Sequence, residues 1–192
     1  MKASFTIIFV NVLIFLFLVI MSFINIDFAL NFIAWNPSSE FFNPIQLLTY
    51  QFIHADVLHL LFNMLLFSFC AFDIEKELGT KKFVIFYLVS GFIAGLAHIL
   101  YSKFPVAGAS GSIWGLLMIY TFLFPNRTFE SLFAKVPITI FITVLFLVEI
   151  FFLITGLDKG VSNLAHIVGG LTGLLLISTN NLLTTNKSET LD

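Results

Sequence analysis

Long apolar runs broken at intervals by short polar stretches dominate this chain. Six can be read, near residues 4–23, 57–72, 83–100, 110–125, 137–155 and 161–179. A bilayer core of ~30 Å is crossed by about 20 apolar helical residues. Only segments that satisfy their own backbone hydrogen bonds can lie within it. Six such runs in 192 residues predict an all-α fold, a polytopic membrane helix bundle with six transmembrane helices. The first run is too long for the apolar core of a signal peptide, and no A-x-A site follows it, so it is read as a helix.

Composition narrows the class further. Hydrophobic residues make up 59% and charged residues 10%, against roughly 25% charged in an average soluble domain. A soluble fold of this length cannot bury that much apolar surface. The net charge of -2 offers no basic footprint for a phosphate backbone, so no nucleic acid is expected as a partner. The single cysteine, Cys70, excludes an internal disulfide framework and a Cys-rich metal site.

The breaks between the runs carry the charges. Residues 24–56 hold Asp27, Asn36-Pro37, Glu40 and Asn43-Pro44, residues 73–82 read DIEKELGTKK, and residues 125–136 hold Arg127, Glu130 and Lys135. With the N-terminus inside, Lys2, Lys76, Lys81, Lys82, Arg127, Lys135 and Lys187 are cytoplasmic, while Lys103 and Lys159 face out. That asymmetry sets the orientation. It predicts a multi-pass cell-membrane protein with both termini cytoplasmic. Residues 1–180 are expected to form one membrane domain, followed by a polar tail over 181–192. The segment 24–56 then lies outside, in the membrane interface.

Polar residues inside a span are costly and therefore informative. They are few: Asn11, His54, His59, Asn63, His98, Ser110, Glu149 and His166. His59 and Asn63 fall in the first two turns of the second run. Ser110 starts the fourth, and His166 lies in the second turn of the sixth. All three runs descend from the outer side, so at 1.5 Å per residue these four groups share a level within about 10 Å of that surface. Gly111 and Gly115 in one run, and Gly169 and Gly173 in another, form small-xxx-small patterns that let helix backbones approach closely. Packed together, those faces bring the Ser110 hydroxyl to the His166 imidazole, the minimum arrangement for an activated serine nucleophile. His59 and Asn63, at i and i+4, project from one helical face. They can supply donors to an oxyanion, as can the backbone N–H of Ser110. Ser112 lies about 200° further around the helix and faces elsewhere. Taken singly, a serine at a helix start is an N-cap and a buried Asn is interhelical glue; their conjunction at one depth is what points to a site.

The pattern His54-x4-His59-x3-Asn63, then Gly108-Ala109-Ser110-Gly111, then Ala165-His166-x2-Gly169-x3-Gly173 closely resembles the rhomboid intramembrane serine proteases. The likeness covers about residues 44–179. It implies a Ser-His dyad with no acidic third member, Ser110 as nucleophile and His166 as general base. His59 and Asn63 would form the oxyanion hole, supported by Gly108, Gly111, Trp114, Gly169, Gly173 and His54. It implies no metal and no cofactor, and single-span membrane proteins as substrates, cut near the outer face. Trp114 stands where relatives often have Tyr or Phe against the imidazole. Ile45-Gln46 stands where many relatives carry a Trp-Arg pair that anchors the first loop. Glu149 has no role that the resemblance assigns; it is expected to snorkel or to be protonated. Three other functions compete with this reading. One is a catalytically inactive rhomboid-like protein that binds membrane clients. Another is a helix bundle holding haem between His59 and His166. The last is a small transporter, which would prefer inverted repeats not seen here.

Overall fold

The computed structural model describes residues 2–24, 28–130, 135–158 and 162–189, with residues 182–189 described by their backbone only. Asp27 and Lys159 lie outside the described residues. In chain order the helices are α1 (Lys2–Ser22), the one-turn α2 (Gln46–Thr49), α3 (Val57–Leu78), α4 (Thr80–Tyr101), α5 (Ser110–Leu123), α6 (Ile138–Thr155) and α7 (Asn163–Glu189). Among the described residues, α1, α3, α4 and α6 are each long and apolar enough to cross a membrane, and α5 is a shorter apolar helix. The chain is a multi-pass, all-α membrane bundle.

The middle of the bundle is α5. Nearly every residue from Gly111 to Tyr120 is buried, enclosed by α3, α4 and α7. The other extreme is α6, in which only Ile138 and Ile142 are buried. In α1 the buried residues are Ser4, Asn11 and Phe15, while Phe5, Phe9 and Phe17 are exposed. Apolar tails do not drive helices together in lipid; close backbone approach does. The α5–α7 seam meets that condition. A Cβ built on Gly169 would stand 2.1 Å from the Gly111 carbonyl oxygen, and one on Gly173 would stand 2.2 Å from that of Gly115. The two helices therefore run side by side, backbone against backbone, in the same direction.

Three local features depart from the sequence reading. First, α3 continues to Leu78 through the charged stretch expected to be a loop, leaving Gly79 at φ +78° as the whole break before α4. The stretch stays helical because Glu75 is buried and bonded. Its carboxylate accepts from Ala3 N (3.0 Å), Ser4 N (2.9 Å), Ser4 Oγ (2.7 Å) and Thr80 Oγ1 (2.7 Å). An anion thus sits where the first N–H groups of α1 have no partner within their own helix. Second, part of the loop before α6 forms an antiparallel ribbon, β1 (Thr128–Glu130) with β2 (Lys135–Pro137). Phe129 stacks on Phe141 of α6 at 4.6 Å, and Glu130 pairs with Lys135 at 2.5 Å. Third, α7 runs on past residue 179 to Glu189.

The first loop is held together by Gln46, only 1% exposed. Its amide donates to Phe41 O (2.8 Å) and Asn31 O (3.2 Å), and its carbonyl accepts from Asn43 N (3.1 Å). Asn36 donates to Ile99 O at the top of α4 (2.7 Å). Ala34 forms a β-bridge with Val106. The loop is thereby tied to the segment that leads into α5.

Candidate active site

Three turns of chain converge on one end of the bundle. Asp56 caps α3, its carboxylate accepting from His59 N at 2.8 Å, and so fixes where His59 and Asn63 begin the helix. Before α5, Gly108 adopts φ +121° and donates its N–H to Tyr50 O at 2.9 Å. That conformation is open to glycine and strained for other residues; it delivers Ser110 to the head of α5. Entry to α7 is held by His98. Its Nε2 donates to Phe104 O at 3.0 Å, so its Nδ1 accepts from Ser162 Oγ at 2.5 Å. Ser162 O in turn accepts from His166 N at 3.1 Å. His98 thus orients the turn that carries His166.

At the centre, Ser110 Oγ and His166 Nε2 are 2.7 Å apart. The hydroxyl and the imidazole expected to meet do so, directly above the glycine seam. Trp114, one turn below Ser110, lies with its ring centroid 6.1 Å from that of His166 at 34° and packs on Phe146 of α6. Ser112, by contrast, is fully buried and donates to Gln51 Oε1 at 2.8 Å; it belongs to the packing between loop and core.

His59, one of the donors proposed for an oxyanion, also stands near the serine. A Cβ on Gly108 would lie 2.8 Å from His59 Nε2 and 3.9 Å from Ser110 Oγ. The imidazole edge and the hydroxyl therefore flank one small space that glycine leaves open. Asn63 spends one amide N–H on His59 O at 2.8 Å; its second N–H is free to point elsewhere. His54 packs edge-on against His59, ring centroids 5.1 Å apart. It is buried with neither ring nitrogen hydrogen-bonded. Burial, and then the neighbouring His59, push its imidazole down to about 4.

Two residues enter the site that the sequence reading did not place there. Glu149 of α6 does not snorkel. Its Oε1 lies 3.0 Å from His166 Nδ1, and its Oε2 accepts from Asn163 Nδ2 at 2.8 Å. Asn163 carries no sequence signal by itself; its spacing of three from His166 puts both on one face of α7. The signal available was the lone acid in α6, which no apolar helix carries without a partner. With Nε2 against Ser110 and Nδ1 against Glu149, His166 has no nitrogen left for axial ligation of haem. Among the described residues no three His, Cys, Asp or Glu side chains converge as a metal site.

A bundle in which a serine heads one helix, a histidine faces it from the next, and glycines bring the two backbones together defines a membrane-embedded Ser-His centre. The Rhomboid domain family matches residues 42–180, and the chain belongs to that family. It is 30% identical over 159 residues to the Rhomboid protease GlpG of Yersinia enterocolitica, covering 82% of this chain and 56% of that protein. It is 31% identical over 160 residues to the protein of the same name from Serratia proteamaculans, with coverages of 82% and 56%. The chain spans about half the length of these curated relatives.

Proposed function

We propose that the protein is an intramembrane serine endopeptidase that hydrolyses peptide bonds of single-span membrane proteins near the outer membrane face. The contact of 2.7 Å between Ser110 Oγ and His166 Nε2 carries this reading. In it, Nε2 takes the hydroxyl proton as Oγ bonds to the scissile carbonyl carbon. The C–N bond then breaks, the leaving amine takes that proton, and an acyl-enzyme remains. Water attacks the ester, gives its proton to Nε2, and releases the new carboxyl terminus while Ser110 recovers its hydrogen.

The carbonyl oxygen becomes an anion in each half-reaction and needs fixed donors. His59 borders the space beside Gly108; together with the second N–H of Asn63, one turn further along α3, and the Ser110 N–H at the head of α5, it suits that role. Charge supports the outer face as the face of action. Lys2, Lys76, Lys81, Lys82, Arg127 and Lys135 sit at helix ends remote from Ser110, and an excess of Lys and Arg marks the cytoplasmic side. The reading is tested in proteoliposomes with a panel of tagged one-pass substrates. Wild type should release fragments cut near the outer face, and Ser110→Ala should release none. Equal cleavage by the variant overturns the proposal.

A further inference from the structure

We infer that Glu149 is the positioning residue of the Ser110–His166 pair, completing a three-member relay in which Asn163 orients the carboxylate; the inference rests on the protease reading above. The isolated acid of α6 has to be accounted for. The helix reads ITIFITVLFLVEIFFLIT, and a lone carboxylate in apolar surroundings is expensive unless something compensates it. Both oxygens have partners, and both partners are on α7: His166 through Oε1 and Asn163 through Oε2. The His166 and Glu149 side chains are only 10% and 16% exposed, so their interaction is weakly screened.

The placement has a chemical consequence. A neutral imidazole carries one proton, and Nε2 can accept from Ser110 only if that proton is on Nδ1. A carboxylate at Nδ1 selects that tautomer and then stabilises the imidazolium formed when the serine is deprotonated. The carboxylate lies off the Nδ1–H direction, since at 3.0 Å the contact does not reach hydrogen-bond geometry. It acts through charge at rest; catalytic hydrogen bonds often straighten only in the substrate complex. Asn163 adds directionality. Its amide N–H already points at Oε2, so an isosteric Gln at 149 would turn its carbonyl toward Asn163 and its NH2 toward Nδ1. That donor would force the proton to Nε2, where it blocks the base.

The ordering of variants follows, and it distinguishes positioning from packing. Glu149→Gln should lower kcat by about 100-fold or more with KM within about twofold, because removal of a tautomer-fixing acid acts on the chemical step. Glu149→Ala leaves the tautomer free and should lose less, about tenfold. A purely structural role predicts the reverse, since Gln keeps the shape and the Asn163 bond. Imidazole 15N spectra, with His166 assigned by its absence in His166→Ala, should report Nδ1–H in wild type and Nε2–H in Glu149→Gln. Thermal unfolding confirms that each variant folds. If Glu149→Gln does not fold, the 15N signal of Glu149→Ala decides: a mixture of tautomers supports the inference and unchanged Nδ1–H overturns it. A folded Glu149→Gln of wild-type kcat, or one less impaired than Glu149→Ala, also overturns it. A wild type that neither cleaves nor reacts with a fluorophosphonate instead fails the protease reading itself.

Discussion

Ser110 Oγ and His166 Nε2 meet at 2.7 Å across a seam where Gly169 rests on the Gly111 carbonyl. Their contact is set by backbone approach rather than by long flexible side chains. The pair is therefore preorganised, and its reactivity can be read without a peptide substrate. A fluorophosphonate should label wild type, while Ser110→Ala and His166→Ala stay unlabelled in a gel assay. Thiol reagents should leave cleavage unchanged, because Cys70 is buried and lies about three helical turns along α3 from His59. Labelling of Ser110→Ala would mean that another nucleophile is at work.

Asn63→Ala removes the amide whose second N–H is proposed as an oxyanion donor. Loss of one oxyanion donor costs about 100- to 1,000-fold in kcat where that donor is fully used. Because Asn63 shares its amide with His59 O, we expect about 10- to 1,000-fold, with KM little altered in a steady-state assay. Unchanged turnover would reduce Asn63 to a packing residue.

Gly108→Ala should be among the most damaging single-methyl changes. The residue sits at φ +121°, and its new Cβ would stand 2.8 Å from His59 Nε2. Strain at such a φ costs about 1–3 kcal/mol, and the methyl enters the space proposed for the oxyanion. Cleavage should fall by at least about tenfold, whereas helical content by circular dichroism should be unchanged. A fully active Gly108→Ala would place the oxyanion elsewhere.

Gly169→Ala and Gly173→Ala test the seam. Each methyl would press on backbone, the Gly111 and Gly115 carbonyls respectively, which cannot swing aside as a side chain can. Overpacking of this kind costs about 1–3 kcal/mol. Both variants should unfold earlier in denaturant. Gly169→Ala should lose more activity, because it sits one turn from His166. Equal stability in both would mean that the helices separate freely.

His54 predicts a slope of stability with pH. Its folded value is about 4 and its unfolded value 6.5. Between those pH values the unfolded chain binds more protons, so stability falls as pH drops from 6.5 toward 4 and is unaffected by this group above 6.5. The full effect approaches about 3 kcal/mol. Neither ring nitrogen has a hydrogen bond to lose, so His54→Phe should match wild type at pH 8 and exceed it at pH 5 in thermal unfolding. Parallel pH curves for the two proteins would show that His54 titrates normally.

The parts of this molecule that were legible in sequence are those governed by repetition and spacing. Gly111, Gly115, Gly169 and Gly173 announced a backbone contact because small residues one turn apart have few other uses in lipid. Ser110 and His166 followed from their common depth. What stayed hidden depended on partners distant in sequence. Glu75 looked like loop because its charge suggested water, yet it is satisfied by N–H groups 71 and more residues earlier. Gln46 looked like a missing anchor, although it binds Phe41, Asn31 and Asn43 from within its own loop. The β1–β2 ribbon is too short to show alternation. Glu149 was visible as an anomaly, but only the packing of α6 on α7 reveals which imidazole nitrogen it meets.

The carboxylate of Glu75 also bears on how the bundle is put together. The partners of this one side chain of α3 lie on two other helices, Ala3 and Ser4 on α1 and Thr80 on α4. The head of α1 and the α3–α4 corner are therefore fastened at one point. Loss of that charge would leave the Ala3 and Ser4 N–H groups and the Thr80 hydroxyl without this acceptor all at once, so a single side chain fastens three helices.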